Sequence, residues 1–286
     1  MLNIRAVLLT FMALLAFAGN SLLCRAALAH TSIDAASFTT LRLVSGALVL
    51  SLLVVMRSGR LQGQGSWLSA LALFVYAAGF SFAYLKLNTG VGALILFGAV
   101  QSGMIGYALW QGERFSGRQW AGLLLACAGL TGLLLPGASA PSVAGAVLML
   151  VAGFAWAVYS LRGKGAANPL QISAGNFMRT VPMTLLLSVL LMSGMSVDSY
   201  GVLYALLSGA LTSGVGYAIW YSVLPLLKAT TAATVQLTVP LLAAVAGIVV
   251  LSEPLTLRLV LASVAILGGI ALVVLKAAPD HKKSPA

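Results

Sequence analysis

Charged side chains are scarce in this sequence. Asp, Glu, Lys and Arg make up 7% of its 286 residues, whereas a soluble domain carries about 25%. Apolar residues make up 60%, and a globule of this length in water needs far more polar residues to cover its surface. The shortage of charge also excludes a disordered chain, since disordered chains are rich in charge and poor in apolar residues. The composition therefore indicates a membrane protein with several spans.

Acidic residues are rarer still. All five fall at the ends of apolar runs or in the tail: Asp34, Glu113, Asp198, Glu253 and Asp280. Carriers driven by protons or sodium ions commonly use a carboxylate within the membrane, so this distribution favours facilitated movement of a solute down its gradient. An intramembrane enzyme would need a buried His, Asp or Glu, and none is expected at mid-depth. We therefore predict that the protein is not an enzyme.

Cysteine and histidine are also few, at two residues each. Cys24 and Cys127 lie within apolar runs at a spacing that matches no metal or redox motif, so both are interpreted as small core residues. His30 and His281 lie near chain turns or tails. We expect no metal and no cofactor.

Long apolar runs dominate the chain. A spanning helix needs about 20 apolar residues, and ten such runs are found: 4–28, 33–56, 66–85, 90–110, 118–135, 142–161, 171–194, 199–222, 231–251 and 255–275. The runs are continuous, whereas barrel strands alternate. The first run ends in an Ala-Leu-Ala sequence that could be a signal-peptide cleavage site, but its length and its partner in an internal repeat favour a permanent helix.

The chain repeats itself at a nearly constant offset. Rare charged residues coincide at shifts of 137 and 140 positions: Arg25 with Arg162, Arg42 with Arg179, Glu113 with Glu253, and Arg118 with Arg258. The sequence thus predicts two five-helix repeats, at 1–137 and 138–286, the second ending in a short basic tail. Because five is odd, the second repeat enters the membrane from the opposite side.

The distribution of basic residues supports this inversion. If the N-terminus lies in the cytoplasm, the cytoplasmic loops and tails hold eleven basic residues: Arg5, Arg57, Arg60, Arg114, Arg118, Arg162, Lys164, Lys228, Lys276, Lys282 and Lys283. The external loops hold Arg25, Lys86 and Arg258. Under the positive-inside rule both termini are cytoplasmic, and the net charge of +11 reports topology rather than nucleic-acid binding. The predicted fold is an all-α integral membrane protein with ten transmembrane helices in two inverted five-helix repeats, the architecture of many secondary transporters.

Several motifs carry a resemblance to a known family. They are Tyr217-Ala218-Ile219-Trp220-Tyr221, Pro240 thirteen residues before Glu253, Ser252-Glu253-Pro254-Leu255-Thr256, Gly268-Gly269, and Arg42 followed by Ser45 and Gly46. With these motifs the chain resembles the EamA-type carriers of the drug/metabolite transporter superfamily. It looks most like the YddG-like amino-acid exporters of bacterial inner membranes.

The sequence departs from the family pattern at two places. Val100 stands where the first half would carry the proline. In the first helix, Asn20 and the basic Arg25 are retained from a pattern that often reads Trp-Gly-Ser-Asn-Phe followed by Lys. The resemblance covers the whole chain and implies the fold, but its motifs serve exporters of amino acids, drugs and other metabolites alike.

Aromatic and amide side chains are the first candidates for a substrate site. Aromatic residues recur at helical spacing in corresponding helices of both halves, and amides lie within three helices; together they are Asn20, Tyr76, Phe80, Tyr84, Gln101, Trp156, Tyr159, Tyr217, Trp220, Tyr221 and Gln236. Such a stripe can equally be packing. Lipid offers Tyr hydroxyls and amides no partner, so a polar interior is expected to receive them, and an uncharged aromatic cavity suits amphipathic solutes.

Four charged residues and a proline are candidates for gating or structure. Arg42 and Arg179 lie well inside predicted helices, where they could bind a carboxylate or phosphate, or serve a structural ion pair or snorkel. Residues expected at the same depth in the membrane form two predicted pairs, Arg42 with Glu253 and Arg179 with Glu113. The alternative is that each arginine bonds helix-end carbonyls of its own half. Pro240, like Pro182, is predicted within a helix, where it would make a gating bend or a static one.

The sequence therefore predicts a secondary transporter that exports amino acids, preferably aromatic or apolar ones, across the bacterial inner membrane by alternating access. The alternatives are a broad drug or metabolite exporter, or another small-solute carrier; a channel or a membrane enzyme fits less well. The expected partners are a small-molecule substrate and the lipid bilayer, without nucleic acid, and the protein is expected to act as a monomer.

Overall fold

The protein folds into a bundle of helices. The computed structural model describes residues 4–137, 140–164, 166–227 and 229–274. Its α-helices are α1 (Ile4–His30), α2 (Ala35–Ser58), α3 (Trp67–Tyr84), α4 (Thr89–Trp110), α5 (Gly117–Leu134), α6 (Val143–Gly163), α7 (Pro169–Leu190), α8 (Ser199–Leu206), α9 (Gly216–Val223), α10 (Ala229–Gln236), α11 (Val239–Leu251) and α12 (Leu257–Val274). The predicted basic tail, with Asp280 and His281, lies outside the described residues, as does Lys228.

Eight helical stretches in the described part of the chain are long and apolar enough to cross a membrane. They are Ile4–His30, Ala35–Ser58, Trp67–Tyr84, Thr89–Trp110, Val143–Gly163, Ser199–Leu226, Thr234–Leu251 and Leu257–Val274. The fifth and seventh predicted runs also form helices, α5 and α7, of 18 and 22 residues, but they are not among the eight. The protein is thus a multi-pass, all-helical membrane protein in the described ranges, and the ten-span arrangement stays a prediction.

The helix starts follow from capping residues. Asp34, Ser66, Ser116, Asn168 and Asp198 each accept a backbone N–H of the helix that follows them, which satisfies donors that have no partner within the helix. Because these residues lie between apolar runs, they also mark where the short loops end and the next helices begin.

The eighth and ninth predicted runs are irregular helices. Between α8 and α9 the chain continues as a π-helix over Leu207–Val215, so that Ser199–Leu226 is one helical stretch with a wide central part. The ninth run is divided into α10 and α11, and Pro240 lies in the first turn of α11. Contrary to the expectation of a helix interior, Pro240 follows the break between α10 and α11 and lies in the first helical turn, where a backbone N–H has no partner within the helix. Pro182 does lie inside α7.

Helices that occupy corresponding places in the two predicted halves run antiparallel. Near the start of α2, Thr40 Oγ1 lies 2.7 Å from Ser188 Oγ near the end of α7, and Gln171 at the start of α7 donates to Ser58 Oγ at the end of α2 over 3.0 Å. In the same way Gln119 at the start of α5 donates to the Val273 carbonyl at the end of α12, over 3.2 Å.

The main helix–helix contacts also join one predicted half to the other. Helix α3 packs on α6, and α1 packs on the α8–α9 stretch; α2 packs on α7, α4 on α11 and α5 on α12. The buried core is continuous across these contacts. Large apolar side chains cover the outside, among them Trp110, which is 79% exposed, as expected of a surface that faces lipid tails.

Candidate functional site

A cavity lies in the centre of the bundle, between α1, α3, α4, α6, the π-helix, α9 and α10. The unfilled space along its walls is about 580 Å³ when the open solvent at its mouth is counted, and the centres of water-sized molecules can occupy about 50 Å³ of it. Its walls are formed by Phe17, Asn20, Ser21, Tyr76, Phe80, Leu96, Phe97, Val100, Trp156, Thr212, Ser213, Tyr217 and Gln236. The lining is mainly aromatic and aliphatic with a few hydroxyls and amides, the composition typical of a small-molecule site.

The aromatic wall is built from residues of both halves. Trp156 of α6 lies between Tyr76 of α3 and Tyr217 of α9, with ring centroids 4.7 Å and 5.5 Å away. Phe17 of α1 meets Tyr217 edge-on at 6.0 Å. Offset and edge-on contacts of this kind stabilise aromatic clusters beyond their burial, so the wall is a rigid surface.

A hydrogen-bond network crosses one side of the cavity. Asn20 Nδ2 donates to the Tyr76 hydroxyl over 3.4 Å, and Asn20 Oδ1 accepts from Ser208 Oγ over 2.7 Å and from Thr212 Oγ1 over 3.2 Å. The π-helix places Ser208 and Thr212 beside the same Asn20 amide, and these hydrogen bonds connect the π-helix to α1.

Arg42 of α2 is buried behind this wall. It is 2% exposed, and its Nη2 donates to the Tyr76 hydroxyl over 3.2 Å. Its guanidinium carbon lies 5.3 Å and 4.9 Å from the ring centroids of Tyr76 and Phe80. Its Nε and Nη1 have no hydrogen-bond partner among the described residues.

The cavity is closed toward one end of the bundle. Phe80 lines the cavity and packs on Tyr84 at 4.8 Å; the Tyr84 carbonyl accepts from Arg25 Nη1 over 2.8 Å, and Arg25 Nε lies 3.3 Å from Glu253 Oε1. Phe80 and Tyr84 are almost fully buried, whereas Trp156 and Gln236, farther from Arg25, are half-buried. The side chains toward Arg25 are therefore the more tightly packed ones.

Comparison with known proteins identifies the family. The profile of the EamA-like transporter family matches residues 143–275. The second half of the chain carries an EamA domain. This domain points to a membrane transporter of the drug/metabolite transporter superfamily rather than to an enzyme, and such a transporter would bind small molecules within a bilayer.

Relatives of this EamA-like chain extend over most of its length. The uncharacterized protein PA1977 of Pseudomonas aeruginosa is 55% identical over 270 residues, 94% of each chain. An uncharacterized transporter of Archaeoglobus fulgidus is 28% identical over 215 residues, 72% of this chain and 76% of the relative. A crystal structure with 20% identity superposes with a TM-score of 0.69, covering 94% of this chain and 97% of the other, a likeness that concerns the fold alone.

Six of the eleven predicted substrate-site residues line the cavity of this EamA-like transporter: Asn20, Tyr76, Phe80, Trp156, Tyr217 and Gln236. Five do not: Tyr84, Gln101, Tyr159, Trp220 and Tyr221.

Local packing explains the outliers. Tyr84 lies beyond the cavity on α3, and its hydroxyl donates to the Thr89 carbonyl over 3.2 Å. Tyr159 lies 3.5 Å from Ser173 Oγ, and Trp220 packs on the side of Phe17 in a separate cluster. Their contact partners are other helices, so their helical spacing reflects packing.

Seven lining residues were not among the predicted candidates: Phe17, Ser21, Leu96, Phe97, Val100, Thr212 and Ser213. Of these, Phe17 and Ser21 flank Asn20 at i−3 and i+1, a helical spacing that places Phe17 on the same face. The apolar residues of α4 carry no comparable signal, because they resemble every other core residue.

Neither predicted arginine–glutamate pair is formed. Glu253 bonds Arg25, whereas Arg42 lies about 10 Å along α2 from its start and thus too deep. Arg179 donates to the carbonyls of Gln64 and Gly175 over 2.8 Å and 2.9 Å, and to that of Gly63 over 2.9 Å.

The contacts of Arg179 correct the alternative as well. Two of its three carbonyl partners, Gly63 and Gln64, precede α3 in the other half of the chain. Glu113 is exposed, away from Arg179. Charged residues therefore do link the two halves, but through other partners than the predicted ones.

Metal ligation has no support in the described ranges. They contain no group of three His, Cys, Asp or Glu that could hold a metal ion. Cys24 is buried and Cys127 is exposed, both as free thiols.

Proposed function

We propose that this EamA-like transporter exports amino acids with aromatic or apolar side chains, and related small metabolites, from the bacterial cytoplasm by alternating access. The observation that carries the proposal is the central cavity, which has an aromatic wall from both halves and is sealed at one end by the contact between Arg25 and Glu253. A phenyl or indole side chain would stack against Trp156 and Tyr217, and the hydroxyls and amides would meet its polar groups.

The proposed topology has ten spans in two inverted repeats, 1–137 and 138–286, with both termini in the cytoplasm of a bacterial cell. Its support is the antiparallel packing of corresponding helices, as between α2 and α7, together with the excess of basic residues in the loops assigned to the cytoplasm. In this topology Arg25 and Glu253 close the external side and the cavity opens inward. One chain encloses the whole cavity, so we propose that a monomer transports.

Counterflow in proteoliposomes tests the function. Vesicles containing the purified chain and loaded with unlabelled phenylalanine are expected to take up labelled phenylalanine, and vesicles with the W156A variant to take up at least about tenfold less. A panel with small polar amino acids should give weaker exchange. Absence of exchange for every amino acid in the panel, from protein that is folded, would contradict the proposal.

A broader exporter is the second candidate. Apolar walls discriminate by only about 1–3 kcal/mol per methylene, and most of this cavity is apolar. Amphipathic drugs tested in the same vesicles separate the two: exchange of drugs as fast as that of phenylalanine favours the broad exporter.

The topology has its own test. In a C24A/C127A background, single cysteines at Ser32 and Ser116 lie in loops assigned to opposite sides. In intact spheroplasts an impermeant maleimide is expected to label Ser32→Cys and to leave Ser116→Cys unlabelled until the cells are lysed. The reverse pattern would refute cytoplasmic termini.

A further inference from the structure

The Tyr76 hydroxyl is the meeting point of two donors. Arg42 Nη2 approaches it at 3.2 Å and Asn20 Nδ2 at 3.4 Å. A guanidinium can only donate, and a phenolic oxygen has two lone pairs and one hydrogen. With both lone pairs occupied, the hydroxyl hydrogen of Tyr76 is left to donate, and the described residues offer it no acceptor. Tyr76 thus presents a donor at the cavity wall.

The orientation of Asn20 supports this assignment. Its Oδ1 lies 2.7 Å from Ser208 Oγ and 3.2 Å from Thr212 Oγ1. In this orientation the Ser208 hydroxyl donates to the amide oxygen and the amide NH₂ faces Tyr76, while the single hydrogen of the Thr212 hydroxyl is shared between Asn20 Oδ1 and the Ser208 carbonyl, 2.7 Å away. The network therefore directs its donors toward Tyr76.

Positive charge stands uncompensated beside the cavity. Arg42 is 2% exposed, and two of its nitrogens have no partner in the described part of the chain. Glu253, the acid predicted to pair with it, bonds Arg25 instead. The rings of Tyr76 and Phe80 stabilise the guanidinium in part, but a buried cation without a carboxylate remains costly.

The rest of the cavity offers a cationic group aromatic faces but no carboxylate. Its lining contains no Asp or Glu. An amine would meet the positive potential of Arg42 and the donor of Tyr76, whereas a carboxylate would accept from Tyr76 and neutralise the arginine. Hydrogen bonds to a charged acceptor are about twice as strong as neutral ones.

From these contacts we propose that the cavity recognises its solute by a carboxylate at Tyr76, supported by Arg42, with the aromatic or apolar body on Trp156 and Tyr217. This inference rests on the proposed function and narrows it: the required feature is the carboxylate, and the amino group of an amino acid is dispensable. A single charge is favoured over a phosphate because one cation faces the site.

Binding to the purified full-length chain tests the proposal without transport. Titration calorimetry compares 3-phenylpropionate, phenylalanine, 2-phenylethylamine and phenyl phosphate. We expect the two carboxylates to bind within about threefold of each other, and the amine and the phosphate at least about tenfold more weakly. An amine that binds as tightly as the carboxylates would overturn the proposal, and so would a preference for the phosphate.

Variants separate recognition from structure. R42Q removes the charge and Y76F removes the donor while keeping its ring; each is expected to weaken carboxylate binding at least about tenfold and to leave amine binding as tight as in the wild type or tighter. The matched control is R258Q, whose arginine bonds the Leu135 carbonyl at the edge of the bundle, and it should bind as the wild type does. If R42Q fails to fold, Y76F and the ligand series decide.

The two proposals fail separately. Carboxylate binding without counterflow of any solute would refute transport and retain the recognition site. Counterflow of amines and carboxylates alike, unchanged in Y76F, would retain transport and refute the recognition site.

Discussion

The Arg25 guanidinium and the Glu253 carboxylate lie 3.3 Å apart although 228 positions separate them in the chain. Glu253 also accepts from the backbone N–H of Thr89, at 3.0 Å and 2.8 Å from its two oxygens. The residue before Thr89, Asn88, makes no cap of its own, so Glu253 caps α4 from a distant segment. One carboxylate thus fastens α1, α4 and the turn after α11.

Removing the charge of Glu253 should loosen this end of the bundle. E253Q is expected to lose about 1–3 kcal/mol of stability, the range for a buried hydrogen bond to a charged group. In a C127A background the fully buried Cys24 should react with a permeant maleimide about fivefold faster or more, the equivalent of 1 kcal/mol or more. Thermal unfolding and labelling rates measure the two effects.

The control for this variant is R258Q, which removes a charge near the same end without touching Glu253. It should leave the Cys24 rate at the wild-type value. Equal rates in E253Q and wild type would show that the contact does not hold the end closed.

Two aspartates make stability depend on pH. Asp34 accepts from Ser196 N over 3.0 Å, and Asp198 accepts from Ser32 N over 2.9 Å. Partial burial raises the pKa of Asp34, but its hydrogen bonds from Ser37, Ser196 and Ala36 outweigh burial, and the net pKa lies below its usual value. The hydrogen bond from the Gly201 N–H chiefly lowers the pKa of Asp198.

A lowered folded-state pKa means that the unfolded chain binds protons first as the pH falls. The stabilisation from both aspartates is therefore complete above about pH 4 and is lost as the pH drops through the folded-state values. D34N/D198N removes the titration and keeps one of the two acceptor oxygens at each position, so the variant should be less stable at pH 5 but its melting temperature should fall less than that of the wild type between pH 5 and pH 3. E113Q, at an exposed acid, serves as the control and should follow the wild type.

The aromatic wall is tested by two tryptophans of different placement. W156A removes the ring between Tyr76 and Tyr217 and should weaken solute binding about tenfold, equivalent to about 1.4 kcal/mol. W110A removes a lipid-facing ring that is 79% exposed and should change binding less than twofold. Expression and melting temperature are measured alongside; a binding loss of the same size in both variants would indicate a general effect.

Close packing of α2 against the π-helix depends on Gly209. A Cβ there would collide with Ser45 Oγ and the Arg42 carbonyl, which are held by the helix itself. G209A is expected to lose about 1–3 kcal/mol through overpacking. G106A places its Cβ where nothing lies within 4 Å and should unfold at the wild-type temperature or slightly above it.

Composition and charge were sufficient to predict the helices, because a bilayer leaves few alternatives for apolar runs of this length. The predicted run 90–110 became Thr89–Trp110 and the run 142–161 became Val143–Gly163. The irregular helices were not predictable in this way. Apolar residues are compatible both with α-turns and with the π-turns at Leu207–Val215. The hydrogen bonds from this segment to Asn20 of another helix cannot be read from the sequence either.

Side-chain partners were harder to predict than helices. Arg25 was counted with the external loops although the predicted run extends to residue 28, and no partner for it was predicted. It lies inside α1, where Glu253 and the carbonyls of Tyr84 and Leu85 accept from its guanidinium. Helical spacing placed Tyr76, Phe80 and Tyr84 on one face of α3, but it does not report depth. Which of them lines the cavity depends on where α4 crosses.

The wide helix at Leu207–Val215 has a consequence for the balance between conformations. Its counterpart in the first half, α3, is a regular α-helix over Trp67–Tyr84. If the two halves were identical, exchanging their shapes would give two conformations of equal free energy. Because one half carries the π-turns and the other does not, the inward and outward conformations of the proposed alternating-access cycle would differ in free energy. Under that proposal the empty protein has a resting bias, and a solute gradient acts on an equilibrium that is already unequal.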